Sequence, residues 1–309
     1  MSARRLNITI DQQQAGKTVH VLLRYQIGLS GTVLRRIKWL EDGILLDGKR
    51  VTTRAIVQAG QELSVRLSDP EQSNEIPPVE LPLKIVYEDR DIVIVDKAAG
   101  MPSHPGAGHW DDTLGNGLVA HWRNTDPEAN FHPVHRLDKG TSGLIVAAKH
   151  PFAQEKLKQQ LHTKEFQRGY LAICDGIPEP ASGVIRAPIS RQDNSVLKRE
   201  VSPDGAPAVT HYETLSVAEN RALVHLELET GRTHQIRVHM AYLGVPLTGD
   251  FLYGVENQDL ISRPALHSAE LSLLHPVTGE RISFLSPIPK DMAKLMKKTQ
   301  EIQRKIKAN

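Results

Sequence analysis

His135-Arg136-Leu137-Asp138-Lys139-Gly140-Thr141-Ser142-Gly143 runs without a break into Leu144-Ile145-Val146-Ala147-Ala148-Lys149. The second half is a short apolar run with no alternation, the pattern of a strand covered on both faces. The first half holds two glycines, a threonine and a serine, the residues of a tight turn. Asp138 therefore stands on a loop anchored by a rigid strand, a position that often carries chemistry. An arginine brought alongside, Arg136 or another, would orient its carboxylate and balance its charge, which suits a nucleophile or base. Taken alone, the simpler reading is an aspartate that only closes a turn.

Outward from this segment, apolar runs recur at Ile85-Val86-Tyr87 and at Ile92-Val93-Ile94-Val95, the latter ending at Asp96-Lys97. In Phe166-Gln167-Arg168-Gly169-Tyr170-Leu171-Ala172 a strand would put Tyr170, Ala172 and Cys174 on one face and Leu171 and Ile173 on the other. Read alone, Tyr170 is core packing. Val224, Leu226 and Leu228 alternate with His225, Glu227 and Glu229, which predicts a half-buried strand. It leads into Thr230-Gly231-Arg232-Thr233-His234-Gln235-Ile236-Arg237-Val238-His239. There Thr233 is expected to cap a helix that runs to Leu243 and stops at Gly244, with Ile236, Met240 and Leu243 inward. His234, Arg237 and Ala241 then share a face, so Arg237 could meet a carboxylate in a fixed orientation. Helical and strand patterns mix without a regular βαβ alternation, which makes the fold class α+β.

The N-terminal stretch has an organisation of its own. Apolar residues recur at helical spacing over Thr18 to Leu29 and Thr32 to Glu41, with Gly43 as the expected stop of the second helix. Asp47-Gly48 is a hairpin turn pair, and Glu62 to Leu67 alternates like a strand. Arg35, Arg36 and Lys38 punctuate the second helix; by charge alone they form an ordinary solvated face. Ser68 to Pro82, with four prolines, reads as a linker. The division expected is residues 1–68, a linker over 69–82, a larger domain over 83–289 and a basic tail over 290–309. The tail is either a frayed end or an auxiliary polyanion contact.

Composition sets limits. A chain of 309 residues is long enough for two domains at roughly one per ~150 residues. The net charge of +2 is too small to argue for nucleic acid by itself. A single cysteine excludes an internal disulfide and a multi-cysteine zinc site. No apolar window approaches the ~18 residues of a membrane span, and no signal peptide opens the chain. A soluble cytoplasmic protein is expected, with no membrane partner and no metal. A metal hydrolase using His132 and His135 lacks a coherent carboxylate or cysteine motif.

The quoted segment, from His135-Arg136-Leu137-Asp138 through Gly140-Thr141-Ser142-Gly143-Leu144, resembles the catalytic motif of the RluA class of RNA pseudouridine synthases. Further segments follow in that family's order: Ile92 to Lys97 with Gly100-Met101-Pro102 and His104-Pro105-Gly106, then the Tyr170 strand, then Thr230 to His239, then Ala265-Leu266-His267. Lys97-Ala98 departs from the family's usual Lys-Pro. Residues 17–67 resemble the S4 RNA-binding module, except that Ser30-Gly31 stands where a Ser-Arg pair usually opens the second helix. The resemblance implies a catalytic domain built on a large mixed, mainly antiparallel sheet flanked by helices, with a small S4-like α/β module before it. Asp138 would be the catalytic residue, Arg237 its partner, Tyr170 the ring against the target base and Leu266 an apolar neighbour.

Making pseudouridine breaks the N-glycosidic bond, turns the uracil and rejoins it through carbon, so no cofactor is expected. Asp138 would attack the anomeric carbon or abstract a ribose proton to give a glycal. Arg136, Arg168 and Arg232 are candidates for substrate contacts through phosphate or backbone. Arg35, Arg36 and Lys38 become candidate RNA contacts. The partner is expected to be structured RNA, with ribosomal RNA favoured over transfer RNA, and the protein a monomer. A silent RNA-binding protein on the same scaffold would show damage at Asp138, Tyr170 or Arg237, and a glycosidase would need a second carboxylate in the motif.

Overall fold

Asp47 and Gly48, both at positive φ (49° and 76°), close the expected hairpin in the N-terminal part of the computed structural model. The structure describes residues 3–68, 76–193 and 195–296. The N-terminal unit comprises β1 (Arg5–Thr9), α1 (Val19–Val21) continued by a π-helical turn over Leu22–Gln26, α2 (Gly31–Ile37), β2 (Ile44–Leu46), β3 (Lys49–Arg50) and β4 (Glu62–Arg66). The strands form one sheet in the order β1-β4-β2-β3. α2 ends at Ile37 and not at Gly43. The expectation fails because Gly43 serves a different need: a Cβ there would fall 1.8 Å from the Ile37 carbonyl oxygen.

This unit is fastened to the rest. Arg4 donates two hydrogen bonds to Asp91, at 2.6 and 2.7 Å, and His150 shares the same carboxylate at 2.9 Å. The Ser30 N–H donates to Glu155 at 3.1 Å, and Phe152 packs into the N-terminal core. Residues 69–75 of the expected linker lie outside the described residues. Of the remainder, Pro77 accepts from the Asn116 amide and Ile76 packs against the main core.

The larger part follows as β5 (Ile85–Glu88), β6 (Ile92–Lys97), α3 (Leu114–Thr125), β7 (His132–Pro133), β8 (Ser142–Ala148), α4 (Pro151–Gln160) and β9 (Gln167–Asp175). It continues as β10 (Ser182–Arg186), β11 (Ile189–Arg191), β12 (Arg199–Val201), β13 (Val209–Ala218), β14 (Arg221–Leu228), α5 (Gln235–Tyr242), β15 (Leu266–Leu274), β16 (Arg281–Leu285) and α6 (Lys290–Lys294). The fold is α+β: a ten-stranded sheet runs β10-β13-β14-β9-β15-β8-β6-β5, with β16 on β15 and β7 on β8. Every pairing is antiparallel except β8 with β15. β8 is buried along its whole length, as its unbroken apolar run requires. On β9, Tyr170, Ala172 and Cys174 enter one core layer while Leu171 and Ile173 enter another, the period-two division read from the sequence.

The parallel pair positions the site. Gly143, at φ 108°, faces Ser268 so closely that a Cβ would fall 2.2 Å from the Ser268 carbonyl oxygen, so only glycine permits the contact. β8 and β15 therefore begin side by side, and β15 pairs Leu266 with Ala172 and Ser268 with Tyr170. The loop before β8, the start of β15 and the middle of β9 converge on one place. Among the described residues no helix is long and apolar enough to cross a membrane.

Candidate active site

The loop carrying Asp138 is tied at every residue. Ser103 Oγ donates to the Leu137 carbonyl at 2.7 Å and accepts from the Leu137 N–H at 3.1 Å. The Asp138 carbonyl accepts from the Thr141 N–H, and the Lys139 carbonyl accepts from the Gly100 N–H at 2.8 Å. Arg263 Nη1 donates to the carbonyls of Gly140, at 3.3 Å, and Leu266, at 3.0 Å. Lys97, 1% exposed, directs its ammonium to the carbonyls of Ala98 (2.9 Å), Met101 (2.7 Å) and Lys139 (3.5 Å). Burial pushes Lys97 down to about 7, opposed by the charge of Asp138 and assisted by that of Arg263. Such a frame fixes a side chain before any ligand arrives.

Facing the loop is the start of α5. Thr233 does not cap this helix; the N-cap is His234, at φ 59°, and it makes no side-chain capping bond. Gln235, the first helical residue, instead ties down the loop before it: its Oε1 accepts from Thr230 Oγ1 at 2.8 Å and from the Arg232 N–H at 2.9 Å. Its amide nitrogen donates to the Val209 carbonyl and to Thr210 Oγ1, both at 3.0 Å. The buried amide thus joins the loop to β13, while the helix starts with no side-chain cap.

Arg237 approaches Asp138, with Nη1 3.8 Å from Oδ2. Its two short bonds go elsewhere: Nε and Nη2 each donate to Asp250, both at 2.6 Å. Asp250 is fully buried and also accepts from the N–H groups of Leu252 and Tyr253. Burial draws the Arg237 pKa down, but the Asp250 bonds and the Asp138 charge outweigh it and leave the guanidinium more firmly protonated than usual. His234 Nε2 lies 3.9 Å from the same Asp138 oxygen. Burial lowers its pKa against the pull of Asp138, so the imidazole is neutral near pH 7.

Two hollows meet at Asp138. A cleft of about 260 Å³ is lined by Tyr170, Leu266, Arg168, Leu228 and Ile236, and a groove of about 890 Å³ runs past Ser103, His104, Lys139, Phe251 and Pro264. Arg136, Leu137, Asp138, Thr141, His234 and Arg237 border both. Tyr170 is 4% exposed, and burial together with the Asp138 charge raises its pKa, so its hydroxyl keeps its proton. An everted base could lie in the small cleft against Tyr170 and Leu266, its sugar beside Asp138 and its strand in the groove.

The other candidates occupy distinct places. Arg168 is buried, a wall of the small cleft rather than a surface cation, and Gly231 makes room for it. Arg232 stands at the rim and donates to the Pro207 carbonyl at 3.0 Å. Arg35 and Arg36 lie exposed on α2, outside both hollows, and Lys38 stacks its ammonium 4.9 Å from the Trp39 ring centre. Sequence reasoning met Gly249-Asp250 and Tyr253-Gly254 only as segments in the family's order and gave no role to Asp250, Tyr253 or the tie points Ser103 and Arg263. Nothing local marks the Asp250 carboxylate as the anchor of an arginine thirteen positions earlier.

The RNA pseudouridylate synthase family model matches residues 91–242. The Bacillus subtilis RNA pseudouridine synthase YjbO is 39% identical over 88% of this chain and 96% of its own. Ribosomal large subunit pseudouridine synthase D of Pseudomonas aeruginosa is 40% identical over 84% of each chain. Among solved structures, human RNA pseudouridylate synthase domain containing 4 superposes with a TM-score of 0.56 at 25% identity, covering 72% of this chain and 93% of that one. A single framed carboxylate beside a clamped guanidinium, at the mouth of a cleft that would hold one base, is thus set in a chain that belongs to the RNA pseudouridine synthases, isomerases that convert uridine in RNA to pseudouridine.

Proposed function

We propose that Asp138 is the catalytic residue and that it acts on the ribose of a uridine everted from structured RNA. The observation that carries this is its position: an aspartate on a loop whose backbone is tied from Leu137 to Thr141, bordering both hollows, with Arg237 Nη1 3.8 Å away. Arg237, immobilised by Asp250, balances the carboxylate's charge, and Tyr170 with Leu266 packs the detached uracil so that it can turn without escaping. Both a direct attack on the anomeric carbon and a glycal route use this arrangement. Arg168 serves the small cleft, while Arg136 and Arg232 at its rim meet the RNA backbone.

Residues 1–68 act as an S4-like RNA-binding unit in this scheme, with Arg35, Arg36 and Lys38 on phosphates and exposed Trp39 offering a stacking face. The basic tail would add contacts; its residues 297–309 lie outside the described residues. Ribosomal RNA is the favoured substrate, by analogy with relatives named as large-subunit pseudouridine synthases, and the protein would work as a cytoplasmic monomer without a cofactor. Pseudouridine maps of cellular RNA with and without the gene test the scheme. A site should vanish and return with the intact chain but not with Asp138→Asn, and identical maps would end it.

A further inference from the structure

Two nitrogens reach toward one oxygen of Asp138 and stop short of it. Arg237 Nη1 is 3.8 Å and His234 Nε2 3.9 Å from Oδ2. Each gap is too long for a direct hydrogen bond, yet one oxygen atom can sit at normal hydrogen-bond length from both the donor and the carboxylate. His234 is held there at a cost. Only three non-glycine residues among those described have positive φ; Asp47 and Glu219 sit in hairpin turns, and His234, at 59°, opens a helix it does not cap.

Its neighbours also suit one placement of the ring hydrogen. The Arg199 N–H donates to Tyr253 Oη at 2.9 Å, leaving the tyrosine O–H free to donate to His234 Nδ1 at 2.8 Å. Burial first, and Asp250 with it, raises the Tyr253 pKa, so that proton stays in place. In the tautomer in which that O–H donates to Nδ1, Nε2 presents an N–H toward Asp138. The strained backbone and the tyrosine lock serve the same end, a neutral donor aimed at the gap.

We propose that His234, together with Arg237, reads the 2′-hydroxyl of the target ribose and so selects RNA over DNA at the reacting nucleotide itself. This rests on Asp138 acting at the ribose by direct attack on the anomeric carbon, since the 2′-hydrogen that a glycal route removes lies on the base's own face. In a ribonucleoside the base and the 2′-hydroxyl lie on opposite faces of the sugar. A carboxylate approaching the anomeric carbon from the face away from the base meets that hydroxyl. The hydroxyl is both donor and acceptor: its hydrogen goes to Asp138 Oδ2, and its oxygen accepts from His234 Nε2–H. A 2′-deoxy sugar leaves the carboxylate and the donor facing an empty space in a half-buried site, the situation in which one missing hydroxyl is strongly rejected.

The test uses the full-length enzyme and one synthetic stem-loop RNA containing the uridine found by mapping, made with either ribose or 2′-deoxyribose at that position. The wild type should lose about 10- to 100-fold in kcat/KM on the deoxy version, the range of one hydrogen bond to a charged group. His234→Asn, which tolerates the left-handed backbone but does not reach the gap, should lose a similar factor on ribose and only a few-fold more on deoxyribose. The 2′ substituent's intrinsic effect on bond cleavage is common to both enzymes and cancels between them. Tyr253→Phe keeps the ring and removes its lock, so its ribose-to-deoxyribose ratio should fall several-fold; it carries the test if His234→Asn misfolds. A ratio unchanged in both variants overturns the proposal while leaving Asp138 in its role. If instead Asp138→Asn converts the ribose stem-loop as well as wild type does, the reading of Asp138 falls and this proposal falls with it.

Discussion

The cations around Asp138 and those on α2 stand in opposite surroundings. Lys97, Arg237 and Arg263 are buried, and each spends its hydrogen bonds on named carbonyls or carboxylates of this chain. Arg35 and Arg36 face solvent, and the bond given by Arg35, to Thr32 at 3.3 Å, is a local one. A buried cation acts over one bond length and sets geometry; an exposed one acts over a Debye length of about 8 Å at physiological salt and sets encounter and affinity. Positive charge alone therefore says little about an RNA enzyme until its burial is known.

Four measurements would break or sharpen that contrast. Removing the charge that the buried set surrounds has the largest effect: Asp138→Asn should lower kcat by at least about 10⁴-fold with near-normal RNA affinity, and a modest loss would take chemistry away from this loop. Asp250→Ala comes next, because it leaves Arg237 buried without its anchor. Unfolding free energy should drop by about 3–5 kcal/mol, and kcat by roughly 100-fold in the protein that remains folded. An active, stable Asp250→Ala protein would show that the guanidinium positions itself.

The exposed set should respond differently. Changing Arg35, Arg36 and Lys38 together to Ala should raise KM about tenfold, leave kcat alone, and flatten the salt dependence of kcat/KM by about 0.7 to 0.9 log units per lost phosphate contact. The same salt slope as wild type would place these residues off the RNA. Lys97 gives the smallest and most specific signal. Its folded pKa, pushed down to about 7, lies below the ~10.4 of an unfolded lysine, so between those values the unfolded chain holds the extra proton. Stability relative to Lys97→Met should accordingly rise as pH climbs from about 7 toward about 10. A flat difference in chemical denaturation would mean that the ammonium is not desolvated.

What could be read from the sequence depended on how local its cause was. The buried strand after Gly143, the two faces of β9 and the Asp47-Gly48 hairpin each follow from neighbours within a few positions, and each stands as expected. Thr233 as a cap failed because the helix begins one residue later, after His234 in a left-handed backbone, and no side chain caps it. The stop of α2 failed because Gly43 answers a close backbone approach and not helix termination. Asp138 and Arg237 were expected as a pair from the family resemblance of their segments, and the structure sets Nη1 3.8 Å from Oδ2. The Asp250 anchor was not, since a carboxylate on a turn looks the same whether it faces water or a buried guanidinium.

The double bond from Asp250 to Arg237 has one more consequence. A side chain pinned at its far end is held in place beforehand, so a pocket built on it would need no assembly step when RNA arrives. Binding energy is then free for the harder task of unstacking a nucleotide and drawing it out of its helix. Turnover in such an enzyme would be governed by how readily the RNA surrenders its base.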